Sequence, residues 1–179
     1  MHSIKLYHII FLEQEKTMAN TIVIYYSLEG NVDFVAKKIA ENLGADIYRI
    51  ETLKEYPKKG LLKFFHGGKD VISGVKPELK GKLPSLESYD KIIIGAPVWA
   101  AKPAAPLNTF FDKVNLSGKK CYAFASSAGG NSKKCLEIMA SEIAKKGGTV
   151  EACAEFTNPL KKSDAALVTI AEFADKIGQ

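Results

Sequence analysis

Apolar and polar positions switch between two periods along most of the chain. Thr21–Tyr26 is a compact β run. It leads into Val32–Leu43, where Val35, Ile39 and Leu43 share one helical face closed by Gly44. Asp46–Ile50 predicts a second short strand, and Lys91–Gly95 is a β-branched run suited to the centre of a parallel sheet. Ala104–Val114 predicts a helix anchored by Phe110 and Phe111, Lys120–Ala125 a strand, and Ser132–Lys146 a helix stopped by Gly147 and Gly148. Thr149–Phe156 reads as the last strand. Ser163–Ile177 reads as the last helix, with Leu167, Ile170, Phe173, Ala174 and Ile177 as its buried stripe. Strands separated by helices of this length imply right-handed crossovers and one open parallel sheet, and five strands fit.

The stretch Glu51–Asp90 breaks this rhythm, because it is longer than a plain crossover. Between Lys54 and Lys82 it places eight lysines against Glu55, Asp70 and Glu78, a local charge of +5. Leu61, Leu62, Phe64 and Phe65 are apolar anchors, and Gly67, Gly68 and Gly74 mark turns. Two readings stand side by side: a helix and loop covering one sheet edge with lysines in solvent, or a wall of the active cleft or docking face. Residues 1–18 form an N-terminal extension ahead of a single domain at 19–179. Either Met18 is the natural start, or the Ile9–Leu12 face of the extension packs on the domain or on another subunit. The extension lacks the plan of a secretory signal.

The chain has 179 residues, 46% hydrophobic and 25% charged, which suits one globular α/β domain. No apolar run approaches the ~18–20 residues of a membrane span. The formal charge is +5, and Arg49 is the only arginine. A reader of base edges leans on the arginine fork, so nucleic-acid recognition is excluded, while attraction to an acidic partner protein or to phosphates stays open. Cys121, Cys135 and Cys153 are odd in number and unpaired in spacing, as expected of buried small residues in a reducing, cytoplasmic setting. His2, His8 and His66 have no metal-ligand spacing, and no serine stands in a G-x-S-x-G elbow, so neither a metal site nor a hydrolase is expected.

Chemistry in an open parallel sheet belongs beyond the carboxyl ends of the strands. Three loops there are unusual. Ser27-Leu28-Glu29-Gly30-Asn31 runs from the first strand into a helix beginning at Val32. It offers polar side chains, a tight turn and helix-terminal amides suited to a terminal phosphate, but no lysine of a triphosphate loop. Taken alone, it also reads as a simple strand-to-helix turn capped by Ser27 or Asn31. Ala96–Pro103 holds the only tryptophan, Trp99, among small residues, which suits stacking with a flat ligand; the competing reading folds Trp99 onto the following helix. Ser126-Ser127-Ala128-Gly129-Gly130-Asn131-Ser132 lets the backbone approach a planar group closely.

These three loops resemble those of the flavodoxin-like family, and the likeness runs from Ala19 to Gln179. Its motifs are Tyr25-Tyr26-Ser27-Leu28-Glu29-Gly30-Asn31, Gly95-Ala96-Pro97-Val98-Trp99 and Ala125-Ser126-Ser127-Ala128-Gly129-Gly130. The resemblance implies a three-layer, doubly wound α/β fold of short-chain type, with a five-stranded parallel sheet of order 2-1-3-4-5. It implies FMN as cofactor, its phosphate held by Ser27, Leu28, Glu29, Gly30, Asn31 and Val32, mostly through backbone donors. Pro97, Val98, Trp99 and Ala100 would meet one side of the flavin ring, and Ser126, Ser127, Ala128, Gly129 and Gly130 the other. The chain departs from the family at Glu29 and Val32, where threonines are usual, so Glu29 is expected to turn outward and give only its N–H.

The implied function is electron transfer between protein partners, with no catalytic acid or base from the protein. The alternative is an FMN-dependent oxidoreductase acting on NAD(P)H or a quinone, with His66 and Lys69 as polar candidates at the second site. The basic charge favours an acidic redox partner. Near the flavin, Ala96–Pro103 and Ala125–Ser132 hold no acidic residue and one cation, Lys102, so the reduced flavin is expected to be less reducing than in acidic relatives. Either a monomer or a homodimer fits.

Overall fold

A strand buried along its whole length starts the domain in the computed structural model, which describes residues 20–57 and 68–179. Strand β1 (Thr21–Tyr25) leads to helix α1 (Asn31–Leu43) and strand β2 (Asp46–Arg49). After the long crossover come β3 (Lys91–Trp99), a short β4 (Lys102–Pro103) and α2 (Pro106–Lys113), then β5 (Lys120–Ser127), α3 (Lys133–Lys145), β6 (Thr149–Thr157) and α4 (Ser163–Gly178). The sheet order is β2-β1-β3-β5-β6, all parallel, with β4 paired antiparallel to β3. With the short β4 set aside, this is the doubly wound 2-1-3-4-5 order expected of the fold.

Alternation along the central strands divides the core into two layers. Val23, Tyr25, Ile93, Tyr122 and Phe124 face α1 and α4. Ile22, Ile24, Ile92, Ile94 and Cys121 face α2 and α3. Both faces of β1 and β3 are thus buried, which explains why these strands read as unbroken apolar runs.

Three sequence expectations need correction. The stretch after Gly95 is not a free loop: Ala96 and Pro97 continue β3 alongside Ala125 and Ser126, and Val98 and Trp99 pair with Pro103 and Lys102. Leu167 is exposed, because the buried stripe of α4 is Ala166, Ile170, Phe173, Ala174 and Ile177, and Leu167 lies one helical step off it. Cys153 is exposed as well, unlike Cys121 and Cys135. A register shift between Cys121 and Tyr122 leaves Glu151 without an opposite residue. Beyond that shift Ala152 and Ala154 turn toward α1 and α4, and Cys153 faces outward on the edge strand β6.

The crossover holds an isolated antiparallel bridge between Thr52 and Leu79 and a helical turn at 68–72. The extension 1–18 and the residues Leu61, Leu62, Phe64, Phe65, His66 and Gly67 lie outside the described residues. Among the described residues, no helix is long and apolar enough to cross a membrane, and no cluster of His, Cys, Asp or Glu could hold a metal ion.

Candidate functional site

Three chain segments leave the sheet at the carboxyl ends of β1, β3 and β5 and enclose a cleft of about 430 Å3, within the ~300–1,000 Å3 usual for a small-molecule site. It is lined by Ser27, Leu28, Glu29, Asn31, Val32, Gly68, Pro97, Val98, Trp99, Ala100, Ser126, Ser127 and Ala128. Of the fifteen residues that the resemblance assigns to the flavin, Gly30, Gly129 and Gly130 lie outside this lining. They shape the loops. A larger cavity of about 660 Å3 lies at the other end of the sheet, between Leu79–Glu87 and Lys113–Lys119. It opens at the amino ends of β3 and β5, away from the edge where this topology gathers ligands.

The β1 loop is built around Ser27. Its buried Oγ accepts the N–H groups of Gly30 and Asp33, each at 3.2 Å. The serine oxygen thus sits where an anion would sit at the start of α1, among amides that carry positive potential. Gly30 precedes the helix at φ +92°, a left-handed conformation that costs glycine little. Glu29 is exposed and is among the residues that line the cleft.

Behind the loop stands a charged network absent from the sequence reading. Arg49, at the end of β2, donates from Nη2 to the Ser27 carbonyl at 3.0 Å and from Nη1 to Asp33 Oδ1 at 3.4 Å. The Tyr25 hydroxyl donates to Asp33 at 2.7 Å, and Lys37 pairs with its second oxygen at 2.8 Å. Burial pushes the Asp33 carboxyl upward, but bonds from Lys37 and Tyr25, with the charges of Lys37 and Arg49, outweigh it and hold the group below its ordinary value. A depressed carboxylate contributes stability above its unfolded value of about 3.9 and loses it as pH falls through the lower folded value. Melting curves taken from pH 7 downward should therefore show an acid-side loss of stability that Asp33→Asn reduces. Arg49→Ala should loosen the β1 loop, speeding hydrogen exchange at the Gly30 and Asp33 amides about tenfold, and Arg49→Lys should restore only part of the protection, because one ammonium does not reproduce the two-pronged contact.

The β3 wall is braced by strand pairing and by aromatic neighbours. Trp99 is half-buried, its ring edge-on to Tyr26 (5.7 Å, 88°) and to Tyr56 (4.9 Å, 63°). Tyr56 in turn donates to Asp70 at 2.9 Å. Trp99 therefore packs against aromatic neighbours from two loops and still lines the cleft. Ala100 and Ala101 make the turn between β3 and β4, at φ 47° and 63°. Two consecutive left-handed alanines store roughly 1–2 kcal/mol each. Ala101→Gly should relieve about 1 kcal/mol, raising the melting temperature by about 2–4 °C.

The β5 wall is made of small groups. Ser126 is buried, Ala128 and Gly129 are exposed, and the buried Ser127 Oγ has no hydrogen-bond partner among the described residues. A fourth loop, after β6, fastens this wall: Asn158 donates its N–H to the Ser127 carbonyl at 3.0 Å and its side-chain amide to the Ala128 carbonyl. Leu160 N–H donates to Asn31 Oδ1 at 3.3 Å, so the same loop also reaches the β1 loop. The Asn158-Pro159 pair is a turn signal that could have flagged this loop, and the solitary Arg49 was the other available clue.

The phenols of Tyr25, Tyr26 and Tyr56, in and behind the loops around the cleft, stay protonated near neutrality. Burial pushes the Tyr26 phenol up to about 12, with Arg49 opposing it. Tyr25 and Tyr56 are pushed up by burial first and then by their bonds to Asp33 and Asp70. Burial also raises the Cys121 and Cys135 thiols to about 12, so neither is a thiolate nucleophile. Lys69 is exposed and is not among the residues lining the cleft, and His66 lies outside the described residues.

A doubly wound sheet with an amide-lined loop and an aromatic wall at its switch point defines a flavodoxin-like α/β protein. The chain belongs to the flavodoxin family, whose model matches residues 20–153. Among curated relatives, an NAD(P)H dehydrogenase (quinone) of Caulobacter vibrioides is 32% identical over 121 residues, 62% of this chain and 58% of the relative. One from Azorhizobium caulinodans is 30% identical over 121 residues. The matched region thus spans less than two thirds of these relatives' length. Among solved structures, a Bacteroides uniformis flavoprotein superposes with a TM-score of 0.76 at 23% identity, covering 88% of this chain and 98% of that one. A flavoprotein in complex with FMN from Lactobacillus acidophilus has a TM-score of 0.65 at 24% identity, covering 80% and 97%.

Proposed function

We propose that the cleft holds FMN and that the protein transfers electrons between protein partners. The observation behind this reading is the meeting, in one cleft, of the α1 amide loop, the Trp99 wall and a wall of small residues with an unpartnered hydroxyl at Ser127. That orphaned Oγ and the helix-terminal amides now closed on Ser27 Oγ fit the polar edge and the phosphate of a flavin nucleotide. The loop from Ser27 to Val32 would hold the phosphate, Pro97 to Ala100 one side of the ring, and Ser126 to Gly130 the other. When bound, FMN supplies the electron-transfer chemistry. The protein's own task is placement: Arg49 fixes the Ser27 carbonyl, Tyr26 and Tyr56 fix Trp99, and Asn158 fixes the β5 wall.

A second reading, an FMN-dependent oxidoreductase using NAD(P)H or a quinone, is favoured by one feature of the site. The β5 wall offers no bulky side chain, which leaves room for a second flat molecule beside the ring. The names of the Caulobacter and Azorhizobium relatives point the same way. Oxidation of NADH or NADPH by the FMN-loaded protein in the presence of a quinone separates the two. Turnover selects the oxidoreductase. Its absence, with reduction through a partner reductase, selects the carrier.

A further inference from the structure

Four lysines lie in or directly after the two loops that Asn158 ties together beside the cleft. Lys133 and Lys134 open α3 directly after the β5 wall, and Lys161 and Lys162 lie in the loop after β6, immediately before α4. All four are exposed, and among the described residues none of them is in an ion pair. The two loops are tied together by the bonds of Asn158 to the Ser127 and Ala128 carbonyls, so the four charges share one edge of the molecule.

Their positions are electrostatically unfavourable for folding. The amino end of a helix carries positive potential, so a cation there is disfavoured where an acid would stabilise it. The first turn of α3 contains no acidic residue, and Lys162 occupies the cap position of α4 without a side-chain capping bond. Three acidic groups share the rim and offset part of this charge. Glu155 accepts the Ser132 N–H at 2.9 Å, Asp164 accepts from Ser163 Oγ at 3.5 Å, and Glu29 is exposed at the cleft. Two helix amino ends and four unpaired lysines still leave a positive face beside the cleft.

We propose that this face docks an acidic electron-transfer protein, bringing it against Ala128 and Gly129 at the exposed edge of the cleft. The inference rests on the electron-carrier reading for its purpose, but not for its binding chemistry, which needs no flavin. A nucleic acid fits less well, because all four cations are lysines without the planar fork that reads bases. Long-range steering by such a face should also be salt-sensitive.

The test is a binding titration of the full chain, with and without added FMN, against two haem proteins, acidic cytochrome b5 and basic cytochrome c. Cytochrome b5 should bind about tenfold or more tightly than cytochrome c at low salt. That preference should fade as ionic strength rises from about 0.01 M to about 0.15 M, where the screening length shortens from about 30 to about 8 Å. The variant K133E/K134E/K161E/K162E should lose the preference while melting no lower than the parent, since it places acids at helix amino ends. The variant K82E/K113E/K119E/K120E carries the same net charge change at the opposite end of the sheet and should retain it. Equal loss in both variants, or no preference for cytochrome b5, overturns the proposal. So does a rim-dependent association with phosphatidylserine vesicles in the absence of cytochrome b5 binding. Because the binding is read with and without FMN, failure of the docking face is distinguishable from failure of the flavin reading.

Discussion

Among the described glycines, Gly95→Ala is expected to be the most destabilising substitution by alanine. A Cβ at Gly95 would fall 2.2 Å from Phe124 Cζ and 2.5 Å from Cε1, inside any real contact distance. Phe124 cannot swing aside easily. It is fully buried, packs edge-on to Phe156 at 6.0 Å, and sits directly across the ladder from Gly95 on the central strands β3 and β5. Overpacking of this kind costs about 3 kcal/mol or more, which for a chain of this length lowers the melting temperature by roughly 6–12 °C. Phe124→Leu removes the ring atoms that the new methyl meets. The double variant should therefore be less destabilised than the sum of the two single ones by about 1–3 kcal/mol in a denaturant cycle. Simple additivity would mean that the clash is not the cause. Because Gly95 lies two residues before Pro97, the single variant should also disturb the β3 wall of the cleft.

Ser27→Asp should have the largest effect on ligand binding. The serine oxygen already accepts the Gly30 and Asp33 amides, and a carboxylate would accept them more strongly as a good helix-capping group. The variant is therefore expected to fold, with its own negative charge occupying the position that a phosphate would need. Affinity for FMN should fall by about a hundredfold or more, equivalent to about 2.7 kcal/mol. Riboflavin, which has the same ring and no phosphate, should bind parent and variant within a few-fold of each other. Equal losses for both flavins would place the phosphate elsewhere.

Much of this fold was legible from periodicity. The runs Thr21–Tyr25 and Ile92–Gly95 are buried on both faces, and short runs with so little alternation, rich in β-branched residues, suit central parallel strands. The three loops were legible through glycine, serine and the single tryptophan, and all three border one cleft. What escaped depended on pairs far apart in sequence. No local pattern announces that Arg49 reaches back to Ser27, or that Tyr56 meets Trp99. The turn at Ala100 and Ala101 was hidden for the opposite reason: alanine gives no sign of a left-handed backbone, where Asn-Gly would have. The register shift opposite Cys121 likewise reversed the facing of Cys153 through one unmatched residue, Glu151.

The most direct measurement is an equilibrium titration of the apoprotein with FMN, followed by flavin and Trp99 fluorescence and repeated with riboflavin. Tight binding of FMN, with quenching of both signals and a clear preference over riboflavin, is the expected result. It would place a flavin ring at Trp99 and a phosphate at the Ser27 loop together. An apoprotein whose Trp99 emission is unchanged by FMN would contradict the account: the chain would then share the family's fold without its cofactor.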